Sequence, residues 1–259
     1  MSRTPYPLAF FSLIKLTDER DRAAYNRWHL FDHRPENLAL PGVAWGERWE
    51  RRADSPIAHA GVEQFADLDY LAMYFFREPP AASIADWDRL GADSFQWGRG
   101  PLFPGVERRL LAFFRPVKGY ASRAALVGPE VVPMRPNRGV QVTMTRYGEP
   151  FGAAAHADFA WEDQVLVPEL LQVPGVAGAW TFSFLHYQQH STLPLTGDGG
   201  ASAGSIRLRL VYLDDDPAAT TRGIEEATAE AQRLGGGHDS GAEPLLSTTL
   251  HAIWPWEEH

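Results

Sequence analysis

Two histidines four residues apart, His29 and His33, stand in a segment that also carries Tyr25, Trp28, Asp32 and Glu36. In a helix turning about 100° per residue, Ala24, Trp28, Phe31, Pro35 and Leu38 form an apolar stripe. Tyr25, His29, Asp32, His33 and Glu36 then run together along its flank. Titratable groups beside an apolar face are placed for pocket chemistry, and a solvated flank is the competing reading. Imidazole titrates nearest neutrality, so His33 is the candidate general acid/base, with Asp32 or His29 tuning it. Pro35 offers no N–H to the carbonyl of Phe31 and disfavours helical geometry at Arg34, so the helix should kink or end locally. His33 would then lie near carbonyl-rich backbone that, with Asp32, favours imidazolium while burial opposes it, a balance holding the group near neutral pH.

Other chemistries find less support. His29, His33 and Glu36 have a spacing that can place three ligands on one cation, yet they lack the HExxH arrangement, and no metal is expected. Zero cysteines exclude disulfides, cysteine nucleophiles and thiolate metal sites. No Gly-rich phosphate loop, Rossmann fingerprint or nucleophile elbow occurs, so nucleotide, nicotinamide and flavin chemistry have no positive sign. A net charge of -9 and a pI near 5.5 argue against a nucleic-acid partner, whose phosphates demand clustered Lys and Arg. The N-terminal stretch has neither the pattern of a signal peptide nor a run of about 20 apolar residues, so a cytoplasmic protein with no membrane partner is expected.

The elements that position these residues occur twice. Arg27 to Ala44 aligns without gaps to Ala160 to Ala177 at an offset of 133, with eight identities over 18 positions. Trp28, Pro35, Glu36, Leu38, Pro41, Gly42, Val43 and Ala44 recur as Trp161, Pro168, Glu169, Leu171, Pro174, Gly175, Val176 and Ala177. The match continues loosely from Tyr70 against Arg207 and from Leu111 against Leu250. The Gly- and Ser-rich run Thr196 to Ser205 falls in the growing gap and reads as a loop, idle or acting as a lid. In the first copy LAFFSLIKL reads as a buried strand. Thr17 and Asp18 are candidate caps for a helix from about Glu19 to Leu40. Strands follow around Val43 to Arg52 and Leu68 to Phe76, then a short helix over Ala81 to Leu90 and a strand over Arg108 to Arg115. The order β-α-β-β-α-β is the split βαβ, or ferredoxin-like, α+β unit. Two such units are expected, residues 1–125 and 126–259, joined in the Pro- and Gly-containing stretch Val117 to Gly139.

The aromatic strand residues Trp45, Trp49, Tyr70, Tyr74, Phe113, Phe114, Trp180, Phe182 and Tyr187 are first of all core. Tyr25, Trp28, Arg48, Trp49, Tyr70 and Tyr74 are the candidates to bind a substrate. Trp28 and Pro35 recur in both copies and should serve the shared fold. His29, Asp32 and His33 become Glu162, Val165 and Leu166, which suggests that the first unit is active and that the second lacks the polar centre and supports it.

The segment Tyr25 to Glu36, with Pro41-Gly42 and a strand bearing Arg48-Trp49, resembles the EthD-like branch of the dimeric α+β barrel superfamily. The resemblance implies two sheets packed into a barrel with helices outside and small ligands bound between sheet and helices. In single-unit relatives a homodimer completes the barrel; here the fused halves would pair internally, with a further homodimer left open. The superfamily includes isomerases, polyketide cyclases, cofactor-free oxygenases and haem-using enzymes, and fold does not fix chemistry. A haem would need an axial histidine, for which His186, His190 and His251 are candidates. The leading expectation is a lyase, isomerase or cyclase that uses no cofactor and moves a proton on a hydrophobic, aromatic or polyketide-like small molecule. The rivals are a non-catalytic binding or accessory protein and a metal- or haem-dependent enzyme of the same fold.

Overall fold

The computed structural model describes residues 5–52, 55, 57–99, 105–189, 200–235 and 241–254. Its strands are β1 (Leu8–Leu16), β2 (Val43–Glu50), β3 (Ile57–Ala60), β4 (Tyr70–Phe76), β5 (Val106–Ala121), β6 (Gly139–Arg146), β7 (Val176–Tyr187), β8 (Ile206–Leu213) and β9 (Glu243–Ala252). The helices are α1 (Arg22–Trp28), α2 (Arg34–Ala39), α3 (Pro80–Gln96), α4 (Ala153–Trp161), α5 (Val167–Leu170) and α6 (Pro217–Arg233). The hydrogen-bonded order β2-β4-β1-β5-β7-β8-β6-β9 closes through β9 back onto β2, giving an eight-stranded antiparallel barrel to which β3 adds on β9. Closure leaves no free strand edge in the barrel wall. Among the described residues, no helix is long and apolar enough to cross a membrane.

Strand alternation divides the residues between two environments. Ala9, Phe11 and Leu13 of β1 join Leu71, Met73 and Phe75 of β4 in the barrel interior, together with Trp180, Phe182, Leu208, Leu210 and Leu246. Their neighbours Phe10, Ala72 and Tyr74 face outward, where they pack with Trp87 of α3. Burying each large apolar side chain stabilises the fold by about 1.5–3 kcal/mol, so an interior drawn from both halves ties them into one body.

Several bounds differ from the sequence expectation. β5 does not stop near Arg115 but continues to Ala121, because its second part pairs with β7. Helix α3 runs six residues past Leu90. Asp18 caps the turn before α1, its carboxylate accepting from the Arg20 N–H at 3.0 Å. Pro35 neither ends nor breaks the first helix. The helix instead widens into one π turn over His29–His33, where the Arg34 N–H reaches back to the His29 carbonyl, and then continues as α2. The wider turn makes room for a carbonyl that the proline ring would otherwise meet. A second π turn, Glu162–Leu166, precedes Pro168.

Candidate functional site

Between the π turn, α3 and the outer face of β1, β4 and β5 lies a cavity of about 110 Å3. At 10–15 Å3 for each water position, it has room for roughly seven to eleven waters. All five flank residues read from the sequence, Tyr25, His29, Asp32, His33 and Glu36, line it, as do Trp28 and Tyr74. Tyr74 lies flat against β2 because Gly46 opposite has no side chain; a Cβ there would meet the tyrosine ring at 2.2 Å.

The other three expected binding residues are elsewhere. Trp49 points into the barrel, where its indole N–H donates to Asn137 Oδ1 at 2.9 Å, so it is core and not cavity wall. Successive strand residues face opposite sides, so Arg48 and Trp49 could not both serve one pocket. Arg48 lies behind the cavity, its guanidinium 5.1 Å from the Tyr25 ring centre and 4.7 Å from that of Tyr70. Arg48 is buried, donates from Nη2 to Asn26 Oδ1 at 2.7 Å and also interacts with the Tyr25 hydroxyl. Tyr70 packs with Tyr25 and Ile14 on that inner side, its hydroxyl pushed up to about 12 by burial.

The two imidazoles are neutral. Burial first, then the charges of Arg48 and Arg108, lowers His33 to about 4. Burial, Arg48 and the neighbouring His33 hold His29 well below its ordinary value. The expected poise of His33 near neutrality is therefore corrected. The helix does not end beside it, its carbonyl accepts from Asn37 Nδ2 at 2.6 Å, and Asp32 is engaged by Arg99 at 3.4 Å. Arg99 also grips Glu36 at 2.5 Å and accepts at its carbonyl from the Trp28 indole N–H at 2.9 Å. Trp28 in turn stacks on His33, ring centres 4.6 Å apart. With Glu36 committed to Arg99, the candidate ligand trio of His29, His33 and Glu36 does not assemble, and among the described residues no group of three His, Asp or Glu is placed to hold a metal ion.

The described haem-ligand candidates are not at the cavity. His186 is exposed, its Nδ1 3.0 Å from the Tyr187 carbonyl oxygen, and His251 is buried with Nε2 2.8 Å from Ser55 Oγ. His190 and residues 196–199 of the possible lid lie outside the described residues.

Residues that the sequence reading missed complete the wall. Arg108 faces the cavity because the pairing of β1 with β5 shifts register between Leu13 and Ile14. That bulge turns outward a side chain which simple alternation from Leu110 and Ala112 would send inward. Asp88, Gly91, Ser94 and Phe95 come from α3, and Gln188 from just after β7. Gln188 is held by its N–H on the Leu111 carbonyl at 2.9 Å.

The second half is not without a polar centre, contrary to expectation. Glu162, aligned with His29, is buried and takes Arg207 Nε at 2.7 Å on one oxygen and Arg209 Nη1 at 3.1 Å on the other. Arg207 also lies 4.9 Å from the Phe159 ring centre.

Neither a family model nor a curated protein sequence matches the chain. Solved structures do. A candidate monooxygenase from Fusobacterium nucleatum subsp. nucleatum is 7% identical with a TM-score of 0.54, covering 99% of this chain and 100% of its own. A candidate monooxygenase from Lactobacillus acidophilus is 12% identical with a TM-score of 0.50, covering 95% and 96%. A candidate chlorite dismutase is 11% identical at 0.50, covering 96% and 95%. At such identities the likeness is one of fold alone, that of the closed antiparallel barrel described above.

Proposed function

We propose that the protein is an enzyme that moves a proton on a hydrophobic aromatic small molecule held in this cavity, with His33 as the base that receives it. The observation that carries this reading is the pair of neutral imidazoles, His29 and His33, on the wall of an aromatic-lined cavity. A neutral imidazole has one basic lone pair; on His33 Nδ1 it faces the Asn37 Nδ2 donor at 3.4 Å, a long contact that the ligand's acidic C–H or O–H would have to displace, or else the other tautomer presents its lone pair at Nε2. Trp28 fixes the plane of His33, Asn37 holds its backbone, and Tyr74 and His29 offer polar atoms around the reacting position. Isomerase, lyase and cyclase chemistry all begin with such a transfer. Two of the structures that share the fold are described as monooxygenases, and passing the resulting anion to dioxygen begins the same way.

The same reading takes the chain as an internal duplication of the EthD-like type, residues 1–125 carrying the chemistry and 126–259 supporting it. In each half a helix, a π turn and a proline follow in that order. In each the recurring tryptophan donates to a carbonyl in or just beyond the second helix, Trp28 to Arg99 and Trp161 to Ala231 at 3.2 Å.

The test is proton exchange. Full-length protein is incubated in D2O with a panel of hydroxylated aromatic ketones, and loss of the acidic C–H signal is followed by NMR. Exchange should fall by about 100- to 10,000-fold in His33→Ala and by less in His29→Ala, both folded. Ligand binding with no catalysed exchange would identify a binding protein instead, and exchange that survives His33→Ala would remove His33 from the mechanism.

A further inference from the structure

We infer that the cavity takes an uncharged aromatic ketone, and that Tyr74 is the catalytic residue that holds its carbonyl oxygen and stabilises the negative charge left there when the adjoining C–H loses its proton. The inference rests on the proposed function for the proton transfer and adds two things, the group that holds the oxygen and the charge of the ligand.

Three buried polar atoms on residues of the cavity wall make no hydrogen bond: the Tyr74 hydroxyl, Asn37 Oδ1 and His29 Nδ1, on residues 2%, 2% and 3% exposed. Buried polar groups are rarely left unbonded, so these atoms select a ligand that complements them. All three belong to uncharged groups. The amide of Asn37 has a fixed sense, because its Nδ2 donates to the His33 carbonyl at 2.6 Å and a flipped amide would set two oxygens against each other. Its Oδ1 therefore offers only lone pairs, which repel an anion. The ionised groups of the wall act in the same sense, with the carboxylates of Asp32, Glu36 and Asp88 outnumbering the guanidiniums of Arg99 and Arg108.

Tyr74 supplies the donor. Its ring lies against Gly46 on one side and packs on the Trp87 ring, centres 5.1 Å apart. Burial raises the hydroxyl above its ordinary value, against the opposing charges of Arg34 and Arg48, so it stays protonated at neutral pH. A fixed O–H with no acceptor of its own suits a carbonyl oxygen, and such donors act most strongly where water is excluded.

The step balances without a further reactant. The His33 imidazole takes the proton from the carbon beside the carbonyl. The C–H bond breaks, an N–H bond forms, and the electron pair makes a new C=C bond while the carbonyl pair moves onto oxygen. The Tyr74 hydrogen bond strengthens as that oxygen gains charge, and the tyrosine keeps its proton.

The measurement is calorimetric titration of the full chain with 1-tetralone, a ketone, and with tetralin, the same ring system without oxygen. Tyr74→Phe should weaken 1-tetralone by about tenfold and leave tetralin unchanged, which shows the cavity intact. The infrared carbonyl band of bound, carbon-13-labelled 1-tetralone should lie at lower wavenumber in the wild type than in Tyr74→Phe, a readout that a merely structural tyrosine would not move. Exchange of the hydrogens beside the carbonyl in D2O should fall by about 100- to 1,000-fold in the variant. 1-Naphthoate should bind at least about tenfold more weakly than its neutral counterpart 1-naphthamide. Ketone binding or a carbonyl band unchanged by Tyr74→Phe, naphthoate binding as tight as that of naphthamide, or no binding of 1-tetralone at millimolar concentration would each overturn the inference. Tyr74-dependent ketone binding with no catalysed exchange keeps the carbonyl site and sinks the acid/base reading. Exchange that His33→Ala abolishes and Tyr74→Phe leaves intact does the reverse.

Discussion

His29 and Glu162 occupy aligned positions at the start of their π turns, yet one is an imidazole with an unbonded nitrogen facing a cavity and the other a carboxylate clasped by two arginines. The difference teaches what one backbone geometry permits. A π turn pushes a side chain toward the sheet, and whether that chain meets its own partner or waits for a ligand depends on the facing strand. In the second half β8 supplies Arg207 and Arg209, and Glu162 is satisfied from within. In the first half the strands supply Tyr74, Ser12 and Arg108, and the imidazole meets none of them. The second arrangement pairs its charges within the fold; the first keeps polar atoms available.

The largest expected effect that tests this contrast is Glu162→Leu. Removing the carboxylate leaves two buried guanidiniums without their counter-charge, and urea unfolding should show a loss of about 3–5 kcal/mol. A loss under about 1 kcal/mol would mean that the cluster is solvated like a surface pair. Next comes the titration of His33, followed by NMR of its ring protons. The midpoint should lie at about 4, against an ordinary 6.5. The sign follows from the proton count: below about 6.5 the unfolded chain binds a proton that the folded chain refuses until about 4. This contribution to stability is therefore complete above that window and declines as pH falls through it, and a midpoint near neutrality would restore the poised acid/base that the sequence suggested.

What could be read from the sequence divides by the geometry needed to read it. Helical spacing was enough to bring Tyr25, His29, Asp32, His33 and Glu36 to one wall, because a π turn within the segment shifts the flank without dispersing it. Period-two alternation separates Arg48 from Trp49 but does not say which face is the interior, so Trp49 was misplaced. Arg108 was hidden by a bulge, a feature of pairing between strands rather than of either strand alone. The expected helix over Ala81 to Leu90 ends just before Gly91, which lies within α3 with open space where a Cβ would stand. Gln188 comes from the far half, beyond the reach of any local pattern. The charge of the second centre was visible as Glu162, Arg207 and Arg209, but only the register of β8 brings them together.

Two smaller effects sharpen the comparison. Arg99→Ala frees Asp32 and Glu36 from a partly exposed pairing, and thermal melting should register about 1 kcal/mol or less. His29→Leu is the smallest: it removes a buried nitrogen that has no partner, so stability should change by no more than about 1 kcal/mol and in either direction. A large loss would show that His29 is held by interactions as strong as those of Glu162.

The closing contact of the barrel has a kinetic meaning. Trp49 and Glu50 of β2 pair with Ala252 and His251 of β9. Strands separated by roughly two hundred positions must meet before the wall is complete, a connection of very high contact order, and such topologies fold slowly. During synthesis the edge of β2 therefore stays unpaired until β9 has left the ribosome, and nascent chains at that stage present an open template for association with one another.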